Sequence, residues 1–128
     1  MLGLEQAIRR GEIYGEAGAD IIFIESPQTE QELRDVAGSF EKPTMANMAE
    51  GGKSPLFKVY ELEEMCFKIA IFPVTCLLMA ARAMQRAMET LQSEGSTQGL
   101  LDEMMGFEEF NNIIGFPEIR LFEAQYRL

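Results

Sequence analysis

Apolar residues follow two spacings along this chain, and each spacing predicts a different element. Short, mostly apolar segments predict strands over about 20–24, 43–46 and 68–72. Apolar residues at steps of three or four predict helices over about 4–16, 59–65 and 75–93. Strands and helices that alternate over short connections are typical of parallel βα units, so the fold class is expected to be α/β.

A further helix is predicted between the first two strands. Thr29-Glu30-Gln31-Glu32 has the spacing of a capping box, in which the hydroxyl and the carboxylate bond to free amides at the helix start. The residues that follow place Leu33, Val36 and Ala37 on one apolar face. This face is expected to pack on the sheet.

The helix predicted at 75–93 is the longest, and it carries a wide apolar stripe. The stripe comprises Leu77, Ala81, Met84, Met88 and Leu91. Such a face needs a partner surface, and a barrel or another subunit is favoured over a cofactor. Helices without intervening strands are predicted from Ser96 or Thr97 to about 104, around 107–114 and at 117–125. Residues 1–73 are therefore expected to form βα units, and residues 74–128 the long helix and the C-terminal helices.

Three parallel strands neither close a barrel nor cover both faces of an open sheet. The runs Ile21–Ile24 and Ile69–Phe72 are nevertheless apolar throughout, as in strands that are buried on both faces. In a chain that stands alone, the rows that contain Ile22 and Ile69 are expected to face water. We therefore expect either an assembly or part of a larger barrel.

Charge and composition exclude several classes of partner. The 128 residues include 21 acidic and 11 basic side chains and no histidine, a balance that argues against nucleic acid and anionic membranes as partners. The most apolar stretch, Ile69 to Ala81, is shorter than the roughly 20 residues of a membrane span. No signal peptide is expected, and Cys66 and Cys76 are interpreted as reduced thiols. A cytoplasmic protein is predicted, with an organelle as the alternative.

Polar residues at two strand ends are the candidate site. The carboxyl ends of parallel strands are where ligands bind, and Glu25 and Asn47 occupy these positions. Ser54 and Glu50, in the loop after Asn47, are further candidates for substrate binding. A hydroxyl before Pro55 is more often a turn former, so both interpretations of Ser54 stay open.

Three segments resemble the isocitrate lyase and phosphoenolpyruvate mutase superfamily, and in particular its short members. These members are the dimethylmalate lyases, oxaloacetate hydrolases, 2-methylisocitrate lyases and carboxyphosphonoenolpyruvate mutase-like proteins. The segments are Ala17–Glu25, Ala46–Leu56 and Phe107–Asn111. The resemblance implies the C-terminal three βα units of a (β/α)8 barrel of the TIM type. It also implies that helix 75–93 is exchanged between subunits, so a homo-oligomer is expected.

The resemblance also implies a chemistry. Members make or break a bond next to a 2-oxo acid through an enolate of pyruvate, with Mg²⁺ as a Lewis acid. Glu25 matches a glutamate of the active-site polar network, here assigned as catalytic, and Asn47 matches an asparagine that binds substrate. The magnesium ligands and the catalytic loop of the family precede the matched region. No metal ligand is therefore expected in this chain, and the isolated chain is expected to be inactive.

Two departures from the family pattern carry further expectations. Leu78 stands where 2-methylisocitrate lyases have an arginine for a third carboxylate, so a dicarboxylate or smaller acid is expected as substrate. Cys66 stands where the family usually has glycine, at a helix end that favours a left-handed backbone. Replacement of Cys66 by glycine is expected to be neutral or mildly stabilising.

Three functional hypotheses follow. The first is part of a Mg²⁺-dependent lyase that acts on a 2-oxo or 2-hydroxy dicarboxylate such as oxaloacetate or dimethylmalate. A phosphoenolpyruvate or phosphonopyruvate mutase-type enzyme is its alternative within the family. The second is a non-catalytic oligomerisation module that uses helix 75–93. The third is a module that binds a small acid, and it is disfavoured because half a pocket buries little ligand surface.

Overall fold

The computed structural model describes residues 3–126, which form three parallel strands and six α-helices. In chain order the elements are α1 (Gly3–Glu16), β1 (Ile22–Phe23), α2 (Glu30–Gly38), β2 (Thr44–Asn47), α3 (Val59–Glu64), β3 (Ile69–Ile71), α4 (Thr75–Glu94), a 3₁₀ helix (Gln98–Glu103), α5 (Phe107–Ile113) and α6 (Phe116–Ala124). Each element lies where the apolar spacing predicts it. Within residues 3–126, no helix combines the length and apolar character that a membrane crossing requires.

The strands form one sheet in the order β1-β2-β3, and both pairings are parallel. Phe23 pairs with Met45, which pairs in turn with Ile69. One step further along, Asn47 pairs with Ile71. The prediction of parallel βα units is therefore confirmed, and the three strands end at a common edge.

One face of the sheet is covered by helices. Ile22, Thr44 and Ala46 point to this face and are at most 3% exposed. The apolar residues that form the core with Ala46 come from α2, from α3 and from the chain after β2 and α3, namely Leu33, Val36, Ala37, Met48, Leu62, Met65 and Phe67. The predicted apolar face of α2 is thus confirmed as part of the core.

The opposite face of the sheet is open in this chain. Phe23, at 39% exposed, lies on it with half-buried Met45 and Ile69, because paired residues of a parallel sheet share a face. The expectation that Ile22 faces water was wrong, since Ile22 is 3% exposed and lies against Gly11 of α1. Only the Ile69 row is on the open side.

Local details at helix ends agree with the sequence and refine it. Thr29 Oγ1 accepts from Glu32 N at 3.1 Å, as the capping box predicts, but Glu32 Oε2 accepts from Gln28 N at 2.5 Å, one residue before the cap. Cys66 has φ 79°, which confirms the left-handed backbone after α3. The helix predicted after Ser96 or Thr97 is a 3₁₀ helix, where Ser96 Oγ accepts from Gln98 N at 3.1 Å.

By internal contacts the chain forms two compact units, one that ends at Ala81 and one that begins at Arg82. In the second unit, Leu100 is the one buried residue among those that the structure describes. Arg86 Nη1 and Glu103 Oε2 form an ion pair at 2.5 Å that joins α4 to the 3₁₀ helix. The division of the chain near residue 73 stays a prediction.

Candidate functional site

The candidate residues follow the carboxyl ends of the strands. Glu25 comes two residues after β1, and Glu50 and Ser54 belong to the loop after β2. Asn47 is the last residue of β2 itself. Because the strands are parallel, these positions share one edge of the sheet.

Asn47 has an unpaired oxygen. Its backbone pairs with Ile71, and the next amide, Met48 N, donates to Ile71 O at 2.8 Å. The Asn47 Oδ1 atom is closed to water and has no hydrogen-bond partner among residues 3–126. A buried acceptor without a partner costs about 1–3 kcal/mol, which makes this oxygen the candidate contact for a donor from outside the described residues.

A small pocket at this edge brings Asn47 together with two serines. Ser26, just after β1, and Ser54, after β2, both line it. Phe23 and Met45 form part of the apolar wall of this pocket. The cavity has a volume of about 10 Å³, which is room for about one water molecule, so a larger ligand could meet these polar groups only at its rim. The structure therefore joins two of the predicted site residues, Asn47 and Ser54.

Ser26, which lines this pocket, was not singled out by the sequence. Its φ of 58° is left-handed, which costs a residue other than glycine on the order of 1–3 kcal/mol and is typical of functional sites. A serine directly after a strand and before Pro27 was the available signal.

Glu25 lies on a neighbouring pocket. Its side chain is exposed, and its Oε1 accepts from Ser26 Oγ at 2.8 Å. Arg10 and Lys53 line the same pocket as Glu25. Ser26 lines both pockets, so it connects Glu25 to the pocket of Asn47.

Glu50 faces the start of α4. Thr75 Oγ1 donates a hydrogen bond to Glu50 Oε1, while Glu50 Oε2 is closed to water and has no partner within residues 3–126. Thr75, the first residue of α4, was not singled out by the sequence. The bond shows that Glu50 has a partner within the chain.

Mg²⁺ was expected from the resemblance. The part of the chain from 3 to 126 contains no group of three or more His, Cys, Asp or Glu side chains that could hold a metal ion. Mg²⁺ prefers several oxygen ligands, carboxylates included. The described residues therefore do not supply the ligands of a complete Mg²⁺ site.

Comparison with protein families and curated proteins gives consistent matches. The family profile described as phosphoenolpyruvate phosphomutase matches residues 2–92. The chain is 42% identical to 2,3-dimethylmalate lyase of Eubacterium barkeri, over 97% of this chain and 43% of that protein. It is 40% identical to the chloroplastic carboxyvinyl-carboxyphosphonate phosphorylmutase of Arabidopsis thaliana, over 97% of this chain and 37% of that protein. The chain thus spans about two fifths of the length of these relatives.

Solved structures agree in fold. A crystal structure of 2,3-dimethylmalate lyase matches with a TM-score of 0.87 at 32% identity, over 99% of this chain and 44% of that one. Oxaloacetate acetylhydrolase in complex with oxalate matches with a TM-score of 0.88 at 25% identity, over 98% and 43%. Phosphonopyruvate hydrolase with oxalate and Mg²⁺ matches at 24% identity with a TM-score of 0.80, over 98% and 44%, and shows the fold alone.

The three strands and their helices therefore correspond to part of a TIM-type barrel. The family profile covers more than half of the residues, and the curated relatives extend the match to almost all of them. Taken together with the strand-end site, these matches show that the chain belongs to the phosphoenolpyruvate mutase/isocitrate lyase superfamily.

Proposed function

We propose that this chain carries the substrate-facing part of a lyase that acts on a 2-oxo or 2-hydroxy dicarboxylate, such as oxaloacetate or dimethylmalate, through a pyruvate-like enolate. The observation that carries the proposal is the buried, unpaired Oδ1 of Asn47 at the carboxyl end of β2. A 2,3-dimethylmalate lyase and an oxaloacetate acetylhydrolase are among the chains that it resembles. Mg²⁺ belongs to the proposal through the superfamily, with ligands outside residues 3–126.

The polar groups at the edge match the groups of such a substrate. In the proposal, Asn47 Oδ1 accepts from a substrate hydroxyl, and the amide donates to a carboxylate. The hydroxyl of Ser54, which lines the same pocket, donates to a carboxylate oxygen. The proton of Ser26 Oγ goes to Glu25, so Ser26 Oγ accepts from a substrate hydroxyl. Glu25, bonded to Ser26, acts within the polar network beside the reacting atoms.

The absence of a cation at Leu78 supports a substrate with two carboxylates. Leu78 is 50% exposed in the first turns of α4, and a neutral side chain cannot form the charge-assisted contact that a third carboxylate requires. We therefore propose a dicarboxylate rather than a tricarboxylate.

A chimera tests the activity. The matching C-terminal region of the 2,3-dimethylmalate lyase of Eubacterium barkeri is replaced by this chain, and pyruvate release from dimethylmalate and oxalate release from oxaloacetate are assayed with Mg²⁺. We expect turnover of one dicarboxylate that falls at least about 100-fold in Asn47→Ala, since the variant removes a group that binds the reacting substrate. A folded chimera whose turnover is unchanged by Asn47→Ala contradicts the proposal. A chimera that prefers phosphonopyruvate to both dicarboxylates contradicts it as well.

A second candidate function is homo-oligomerisation through α4, and the exposure of its apolar stripe favours it. Leu77, Met84, Met88 and Leu91 are between 45% and 64% exposed. Such a stripe is typical of a helix that packs on a partner, and an exchanged helix between subunits is the proposed form.

Light scattering after size-exclusion chromatography tests this second candidate. We expect an oligomer that Met88→Glu dissociates, because a carboxylate in an apolar interface is costly. Ser93→Glu is the matched control. The substitution adds the same charge, and position 93 lies on the opposite side of the helix. A monomeric parent chain rejects this function.

A further inference from the structure

We propose that Glu50 is a positioning residue, whose hydrogen bond with Thr75 fastens the loop after β2 to the start of α4 and thereby holds Asn47 in its binding geometry. The bond itself is a feature of the fold. What the bond achieves for a ligand rests on the proposed function of Asn47. The sequence suggested that Glu50 contacts substrate, whereas here Glu50 acts through the loop that it holds.

Phe57 packs against the hydrophobic core at the end of the loop, but the loop has few other hydrogen bonds. After Met48 N bonds to Ile71 O, segment 49–57 has one internal bond within the described structure, from Gly52 N to Ala49 O at 3.0 Å. It has two bonds to the rest of the chain, namely Phe57 N to Met48 Sδ at 3.4 Å and the bond between Thr75 and Glu50. Sulfur is a weak acceptor, so the contact of Glu50 is the strong attachment.

The position of the bond explains its leverage on Asn47. Asn47 pairs with Ile71 at the end of the sheet. Glu50 follows Asn47 by three residues, and Thr75 follows Ile71 by four. Their bond joins residues 25 apart in sequence and continues the connection between the two strands past the last ladder bond. Without it, no hydrogen bond among residues 3–126 would join segment 49–56 to another element of the fold.

The burial of Glu50 makes the bond strong. Glu50 Oε2 is closed to water, and a hydrogen bond to a carboxylate in such surroundings is worth more than one at the surface. Two variants keep the bond: Thr75→Ser retains the hydroxyl, and Glu50→Gln retains an acceptor oxygen. Two variants remove it: Thr75→Val does so with little change in shape, and Glu50→Ala does so by deleting the carboxylate. This gives a matched set.

Hydrogen exchange of the 128-residue chain tests the proposal. We expect the two hydrogen-bonded amides of this region, those of Met48 and Gly52, to exchange about tenfold faster in Thr75→Val and in Glu50→Ala, because one charge-assisted bond is lost. The double variant should add no more than about twofold, since both changes remove the same bond. Thr75→Ser and Glu50→Gln should stay within about twofold of the parent. The side-chain amide resonance of Asn47 should shift in Thr75→Val and Glu50→Ala. It should stay at its position in the parent chain in Thr75→Ser and Glu50→Gln.

Three results would overturn the proposal. They are unchanged loop exchange in Thr75→Val, additive effects in the double variant, and faster exchange throughout residues 3–81 without a local excess in the loop. A titration with oxalate separates this proposal from the proposed function. If the parent chain and the chimera both fail to bind oxalate, the function assigned to Asn47 fails, while loop exchange and the Asn47 resonance still decide whether Glu50 positions it.

Discussion

Gly11 of α1 lies directly against the ring of Phe40. A β-carbon on Gly11 would be 2.7 Å from Phe40 Cε1 and Cζ and 3.1 Å from Ile22 Cγ2. Carbon atoms pack at about 3.5–4.0 Å, so α1 reaches the sheet because position 11 has no side chain. This approach buries Ile22, which the chain alone was expected to expose.

Replacement of Gly11 by alanine should therefore destabilise the protein despite a gain in helix propensity of about 1 kcal/mol. We expect a net loss of up to about 2 kcal/mol in the free energy of unfolding, because overpacking costs about 1–3 kcal/mol. Gly38→Ala is the control, since a β-carbon on Gly38 meets nothing within 4 Å. It should be neutral or gain up to about 1 kcal/mol. Urea denaturation of both variants measures the contrast, and equal stabilisation would refute the close contact.

Thr29→Ala should remove the cap of α2. Thr29 Oγ1 accepts from Glu32 N at 3.1 Å, and loss of such a cap costs about 1 kcal/mol. Thr97 precedes the 3₁₀ helix without a side-chain bond to it, so Thr97→Ala should change the stability by less than about 0.5 kcal/mol. Thermal denaturation of the two variants checks the difference. An equal effect of both would mean that the Thr29 hydroxyl does not act as a cap.

Cys66→Gly should be neutral or stabilise the protein by up to about 1 kcal/mol, because glycine adopts a φ of 79° without steric cost. Cys66→Ala keeps a β-carbon in the same conformation and should gain nothing. The melting temperatures of the two variants test the assignment. A clear drop in Cys66→Gly relative to Cys66→Ala would show that the thiol, rather than the backbone, decides stability at this position.

Asn47→Val should separate stability from binding. The variant removes a buried oxygen that has no partner and places a β-branched residue in a strand, so we expect about 1 kcal/mol of added stability. Oxalate binding by the chimera should weaken at least about tenfold, because an interaction with the ligand is lost. Denaturation and calorimetry measure the two quantities. Lower stability together with unchanged binding would remove Asn47 from the site.

The sequence predicted the elements well because their signals are local. Apolar spacing placed the strands and helices, and the capping box placed the start of α2. The prediction from sequence failed at Ile22, because burial there depends on α1. This helix comes close to the sheet at Gly11, which has no side chain. The sequence also did not single out Ser26, since the pocket beside it forms from residues distant in sequence.

The amino-acid sequence by itself determined the α/β rhythm, the family and the placement of Glu25 and Asn47 at strand ends, because each of these follows from neighbouring residues. Only the tertiary structure decided that Asn47, Ser54 and Ser26 share a pocket, that Glu25 lies beside it, and that Glu50 bonds to Thr75. The physical reason is distance. A hydrogen bond forms only when its atoms lie about 3 Å apart, and chain folding rather than local pattern brings residues 25 apart to that separation.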